Sequence, residues 1–431
     1  MTLGKTITVN TLGQIIGRLA TILFGLLTTA FLTRTLGKAG YGAYGILANF
    51  IALFVALADW GTSTIAVREA SQNEEAQESI FGTAITLRTI IATFMALGFF
   101  VFLPFYAPLR SFSFSFFLSS LIVIYFSLKT SATIIFQTKL KLYYAGLVDA
   151  VSSLAFYLFL IFFWVKRGDF SAVIRYLNYS SLIGVFLALV LMLFLAKPVL
   201  RLEKRWTRKI ILESLPMGAM LAVFSIYNRL DAFLLQIFRG NEETGIYLLA
   251  YKVHDNLVLG AAFFMNALFP VISVKSLEDK IQLEKIYKKA FDILLLMVMP
   301  LVILFFIFAP LIISLLGGPH FSAAVTVLRI LVFATAFAYF NHLTGYTLVA
   351  LGKQRISFFV AIAALVLNLS LNLIFIPKYS FFAASFITII TEAFVFIVTS
   401  FYLRKRMKLS LSFFSFHQTL WQILTERGSI F

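Results

Sequence analysis

The sequence predicts an all-α polytopic membrane protein, with about twelve transmembrane helices in two six-helix lobes related by a parallel repeat. Three observations lead there: recurring apolar runs of spanning length, short charged turns biased to one side, and a turn motif that returns 203 residues later. Of the 431 residues, 61% are hydrophobic and 13% charged. A soluble domain carries about 25% charged residues, so this chain has roughly half the usual polar coat. With no cysteine there are no disulfides and no thiolate metal ligands.

The first apolar run, from about Leu12 to Leu32, follows a single early lysine, Lys5, and no small-residue cleavage site succeeds it. It reads as a retained span rather than a signal peptide. The expected spans are 12–34, 41–60, 81–104, 113–137, 142–165, 171–196, 210–238, 245–272, 288–315, 321–350, 355–376 and 380–403. A closed β-barrel would need short alternating segments, and these runs are continuous. Pro216, Pro270, Pro300 and Pro310 are candidate kinks.

Charge sets the orientation. With both termini on one side, the loops of that side carry about 21 Lys and Arg. The opposite loops carry about seven: Arg34, Lys38, Arg110, Lys166, Arg167, Arg239 and Lys378. The positive-inside rule then places both termini in the cytoplasm of a multi-pass protein of the cell membrane. Most of the net charge of +17 is topology, so nucleic acid is not an expected partner.

The repeat divides the chain. "GKAGYGAY" (Gly37–Tyr44) precedes the second span and "GNEETGIY" (Gly240–Tyr247) precedes the eighth, each after a helix ending in arginine. The expected organisation is an N-terminal lobe 1–196, a basic cytoplasmic linker 197–209, a C-terminal lobe 210–408 and a tail 409–431.

No motif points to catalysis. "GYGAYG" (Gly40–Gly45) spells a dinucleotide fingerprint, but that chemistry needs a preceding strand, and a membrane helix stands there. No P-loop occurs, and His254, His320, His342 and His417 form no metal-spaced cluster, so no catalytic residue, metal or cofactor is expected.

The informative residues are polar ones inside the spans, where each charge costs about 2.5–3.5 kcal/mol on the insertion scale. Arg18 and Arg88 lack an obvious local partner and suit an anion, above all a phosphate, against the alternative of interhelical ion pairs. Arg229 and Asp231, two apart, point to different helix faces and do not simply neutralise each other. Asn228 beside them offers a donor and an acceptor for a sugar or for a structural bond. Asp149 and Glu392 are candidates for proton or cation coupling. Asn368 and Asn372, on one helix face, fit helix–helix hydrogen bonding.

"FLTRTLGKAGYGAYGILANFIALFVALADWGTSTIAVREAS" (Phe31–Ser71) resembles the early region of polysaccharide-repeat flippases of the O-antigen type. "YNRLDAFLL", "TGIYLLAYKV", "LVALGKQR" and "LVLNLSLNLIFIPKYSFFAASFITIITEAF" (Leu365–Phe394) are similar to that family's second half. The family belongs to the multidrug/oligosaccharidyl-lipid/polysaccharide exporter superfamily. The resemblance implies two lobes around a central cavity, alternating access, and a polyprenyl-pyrophosphate-linked oligosaccharide carried from the cytoplasmic to the outer leaflet. It implies a substrate role for Arg18, Arg229 and Asp231, which Arg88 and Asn228 join on the chemistry given above, with membrane lipids and other polysaccharide assembly proteins as partners. Ser380 departs from the family, which usually has glycine there, and the tail 409–431 matches nothing. Two other readings stay open: a cation-coupled drug or metabolite antiporter of the same fold, and a membrane glycosyltransferase or polymerase, which the short outer loops disfavour.

Overall fold

The computed structural model describes residues 3–102, 106, 113–162, 169–278, 280–407 and 409. Among these there is no strand, and nine helical stretches are long and apolar enough to cross a membrane. Leucine, isoleucine and phenylalanine side chains cover their outer surfaces, among them Phe94 at 67% exposure, Phe186 at 72% and Ile397 at 62%. Water does not tolerate so large an apolar coat, and lipid does. The chain is a multi-pass membrane protein.

The helices in chain order are α1 (Leu3–Asp59), α2 (Thr62–Gln72), α3 (Gln77–Phe102), α4 (Ser113–Thr138), α5 (Tyr143–Phe162) and α6 (Phe170–Leu193). There follow α7 (Lys204–Tyr227), α8 (Leu230–Glu278), α9 (Lys280–Ile307), α10 (Ala309–Gly317), α11 (Ala324–Ala350) and α12 (Gln354–Met407). Pro310 opens α10 in its first turn, where a missing N–H is harmless, while Pro216, Pro270 and Pro300 lie inside helices.

Three helices are broken internally. Gly37 in α1 has φ 68° and ψ −173°, and Gly240 in α8 has φ 83° and ψ −177°. That region of backbone space is essentially glycine-only. The two positions matched by the sequence repeat thus carry the same turn. The third break, in α12, falls on Ser380, with φ 56° and ψ −140°. A serine held there is strained, by roughly 1–3 kcal/mol. Ser380→Gly is therefore expected to raise the melting temperature in detergent, by an amount equivalent to about 1 kcal/mol. An unchanged or lower melting point would show that the serine side chain's own contacts outweigh the strain.

The chain forms two compact units. The first comprises Met1–Arg229 together with the turn Gly240–Gly245, and the second comprises Leu230–Arg239 and Ile246–Phe431. This division differs from the boundary expected at 197–209, because α7 packs on α1, α2 and α3 of the first unit.

In the first unit α1 packs along α5, α4 lies between α3 and α6, and α2 bridges α3, α4 and α7. Its core gathers Phe81, Ile135, Phe136, Trp206 and Ile210, all at most 3% exposed. Inside this unit the two repeated turns meet backbone to backbone. A Cβ on Gly42 would lie 2.0 Å from the Asn241 carbonyl oxygen, and one on Gly245 would lie 2.2 Å from that of Lys38. The same 203-residue shift relates Gly42 to Gly245 and Lys38 to Asn241, so the contact is reciprocal.

In the second unit α11 packs against α9 and α12. Tyr287, Phe291, Tyr339, Phe340 and Leu343 form its core, joined by Met265 and Ile272 of α8. His254 of α8 and Thr335 of α11 share a buried hydrogen bond of 2.8 Å.

Candidate functional site

The first unit contains a cavity of about 300 Å³ between α1, α4, α5 and α6. Glycines set its width: Gly13 and Gly17 form a small-xxx-small seam on α1, and Gly17 lies against the backbone of Gly146 on α5. Arg18, the next residue, is exposed and lines the cavity with Lys129 of α4 and Asp149 of α5. Lys129 Nζ donates to Asp149 Oδ1 at 2.7 Å, and the ammonium sits 4.2 Å from the centroid of the Phe126 ring. Arg18 forms no ion pair among the described residues. Hydroxyls fill much of the remaining wall. Thr21, Ser152 and Ser181 each donate to the carbonyl four residues back, at 2.9, 2.7 and 2.7 Å. A hydroxyl satisfied in this way inside a helix keeps its lone pairs, and it can rotate its proton toward a ligand.

Arg88 does not join this cavity. It is 1% exposed, pairs with Asp59, donates to Thr62 at 3.0 Å and Thr130 at 2.7 Å, and reaches Ser131 from Nε at 2.8 Å. The local partner that the sequence did not reveal is Asp59, at the C-terminal end of α1. This geometry supports an interhelical lock rather than an open anion grip.

The stretch 210–238 is not one helix. α7 ends at Tyr227, Asn228 caps it, and Arg229 N–H bonds the Ile226 carbonyl at 3.1 Å before α8 begins at Leu230. Asn228 and Arg229 are half-buried in this break. Discontinuous helices are where membrane proteins expose backbone to a ligand or cavity.

Asp231 belongs to the second unit, in the first turn of α8, and is 7% exposed. There the positive end of the helix dipole favours a carboxylate. Asn372 donates to it at 2.6 Å, Thr388 at 3.1 Å and Tyr247 at 3.2 Å, and Asn372 also donates to Asn368 at 2.9 Å. All of these partners are neutral. Asn368 and Asn372 do link helices, as expected, and what they reach is this carboxylate. Glu392 accepts from Asn341 Nδ2 of α11 at 2.7 Å.

Two features escaped the sequence. One is the Lys129–Asp149 pair, whose members are separated by a whole inter-helix turn. The other is Glu69, 1% exposed, which accepts from Arg68 at 2.7 Å and Lys209 at 2.6 Å while Arg68 also pairs with Glu213, tying α2 to α7. Nothing in the sequence set Glu69 apart from Glu74, Glu75 and Glu78, which follow it closely. Among the described residues no three acids or histidines are placed to hold a metal.

Comparison with known proteins places this architecture. The family described as "Polysaccharide biosynthesis protein" matches residues 3–276, and the MatE family matches 216–374. The "Capsular polysaccharide biosynthesis protein CapF" of Staphylococcus aureus is 28% identical over 206 residues, 46% of this chain and 50% of that protein. The chain therefore matches about half the length of this curated relative. "Lipid II flippase MurJ" in an inward closed conformation superposes with a TM-score of 0.77 at 14% identity, over 96% of this chain and 93% of that one. An inward-facing "multidrug resistance MATE family transporter of the MOP superfamily" gives 0.76 at 14% identity, over 90% and 94%. With the match spanning well over half of its length, the chain belongs to the polysaccharide biosynthesis protein family, and it has the two-lobe fold of the MOP superfamily.

Proposed function

We propose that the protein is a flippase that carries a polyprenyl-pyrophosphate-linked oligosaccharide from the cytoplasmic to the outer leaflet by alternating access of its two lobes. The observation that carries this reading is the cavity of the first unit, where Arg18 and Lys129 face a wall of hydroxyls. A guanidinium without an ion pair among the described residues suits a phosphate oxygen, which it can grip in two places. Serine and threonine hydroxyls suit the remaining oxygens or a first sugar. Family membership and the name of the Staphylococcus aureus relative favour a polysaccharide precursor as the cargo.

The path for cargo follows from the same chemistry. The headgroup is too polar for hydrocarbon and travels in the protein, while the prenyl chain stays in lipid. Arg229 and Asn228, in the break between α7 and α8, are further contacts for the headgroup. α1 and α12 are each long enough for a crossing on either side of their breaks, and the stretch Lys204–Lys275 holds two more, α7 continued into the first turns of α8 and then the rest of α8. With the other six stretches this supports twelve spans, and the charge bias supports both termini on the cytoplasmic side.

A second reading rests on Asp231. A buried carboxylate surrounded only by neutral donors suits a proton or a small cation, which favours a cation-coupled antiporter or a cation-coupled flippase. One experiment separates cargo classes: transport by the purified protein in vesicles of a fluorescent polyprenyl-pyrophosphate oligosaccharide, against a lipophilic cation. Arg18→Ala at equal membrane abundance is expected to slow glycolipid transport about tenfold, the value of one charge-assisted hydrogen bond of roughly 1.5 kcal/mol. Wild-type rates in that variant, or transport of the lipophilic cation alone, would move the assignment to the antiporter, with Asp231 as its site.

A further inference from the structure

The cavity of the first unit is not neutral. Arg18 and Lys129 outnumber Asp149 by one positive charge. A cation entering there would have to draw Asp149 away from Lys129 and would leave two uncompensated positive groups around itself. An anion meets the opposite situation.

The two partners of the ion pair are not equally held. The Lys129 side chain is 15% exposed, lies over the Phe126 ring and is enclosed by α4 and α6. Asp149, which lines the same cavity, is 42% exposed. Leaving a largely buried ammonium unpaired costs several kcal/mol, so an empty cavity needs a counter-charge. Asp149 supplies it, and being the more exposed partner it is also the one with room to turn away when displaced. Lys129 is also packed from the α6 side. A Cβ on Gly184 of α6 would lie 2.1 Å from Ser152 Oγ and 3.9 Å from Lys129 Cδ, so α6 packs closely on Ser152 and reaches ordinary contact with the Lys129 stem.

We infer that the Lys129–Asp149 pair is an exchangeable lock. The pyrophosphate of the cargo displaces Asp149 from Lys129 and is then held between Lys129 and Arg18, with Ser152 and Ser181 turning their protons to its oxygens. When the headgroup leaves, Asp149 returns to Lys129 and opposes rebinding. Lys129 is thus the second cation of the headgroup site, and Asp149 is a competitor built into it. A cavity of about 300 Å³, at the lower end of the ligand-pocket range, suits a headgroup and not a whole oligosaccharide. The glycan therefore extends out of it. This rests on the flippase reading and adds the residue that makes release possible.

The test uses the full chain in detergent and in vesicles. Farnesyl pyrophosphate and inorganic pyrophosphate are titrated by thermal shift and calorimetry, and transport of the fluorescent glycolipid is measured in parallel. Asp149→Asn is expected to bind farnesyl pyrophosphate about tenfold more tightly, the lower end for a close charge pair, and yet to transport more slowly. Lys129→Gln loses binding, and Lys129→Arg retains it. Asp149→Ser repeats the readout with a smaller neutral side chain. A merely structural pair would weaken binding and transport together in Asp149→Asn and would overturn the exchange. Wild-type binding that Arg18→Gln abolishes and Asp149→Asn leaves unchanged overturns the exchange and keeps the flippase. No binding of either pyrophosphate by the wild-type protein overturns both. Equal affinity for the inorganic and the farnesylated probe would assign the site to a free anion rather than a lipid headgroup, and would also overturn the proposal.

Discussion

Arg88→Ala is expected to destabilise the first unit by about 3–5 kcal/mol, as removal of one partner of a buried ion pair does. The guanidinium ties α3 to Asp59 of α1, Thr62 of α2, and Thr130 and Ser131 of α4. The loss is concentrated on Asp59. Thr130 and Ser131 already donate to the Phe126 and Ser127 carbonyls of their own helix, at 2.9 and 2.7 Å, and these bonds survive. Asp59 retains only Gly61 N–H at 3.2 Å and the Ser63 hydroxyl at 3.1 Å. As the last residue of α1 it also faces the negative end of that helix's dipole, which a cation must offset. Arg88→Lys is not expected to rescue the protein, since an ammonium cannot reach several partners on a planar fork. Asp59→Ala/Arg88→Ala should recover part of the loss, because it removes the stranded carboxylate. Melting of the purified protein in detergent checks this, and an unchanged midpoint for Arg88→Ala would mean that Asp59 is well hydrated without its partner.

Gly42→Ala has the next largest expected effect. Its new methyl group would meet backbone, the Asn241 carbonyl at 2.0 Å, and no side chain is there to swing aside. Overpacking of this kind costs about 1–3 kcal/mol, and the upper end is expected where only backbone can yield. The Lys38–Glu242 pair at 3.5 Å cannot hold the turns together in compensation, since exposed pairs contribute about 1 kcal/mol or less. Gly25→Ala is the matched control: it sits in the same helix with open space around it and gains helix propensity. A melting temperature that falls for Gly42→Ala and holds or rises for Gly25→Ala is the expected pair of results. Two equal midpoints would show that the turns separate without loss.

Gly37 and Gly240 were legible in the sequence, since only glycine fits their backbone and both copies kept it. Ser380 was legible as a departure, and it carries the same kind of break with a less suitable residue. The break at Asn228 and Arg229 was not legible, because both residues are acceptable within a helix and no proline or glycine marks the place. Nor was the partner of Arg88. Asp59 lies 29 residues away at the end of another span, and only folding brings the two together. The faces of the helices were hidden for a more general reason. When lipid lies on one side and a packed core on the other, both sides are apolar, and periodicity cannot separate them. The cavity was therefore seen only as scattered charges: Arg18 and Asp149 were read for different roles, and Lys129, which lines the same cavity and pairs with Asp149, was one intramembrane cation among several with no role of its own.

The two repeated turns share three of eight letters; backbone conformation explains one of the three and the contact between the turns explains another. Gly37 and Gly240 set the bend, and Gly42 and Gly245 clear the space for the other copy's carbonyl. Reciprocal contact of this kind, in which one surface meets its own equivalent, is the signature of a two-fold symmetric dimer. The rest of each turn has been free to diverge, but neither copy of Gly42 and Gly245 could drift alone. Those two missing side chains therefore behave as one site, since a methyl group on either is met by the other turn's backbone.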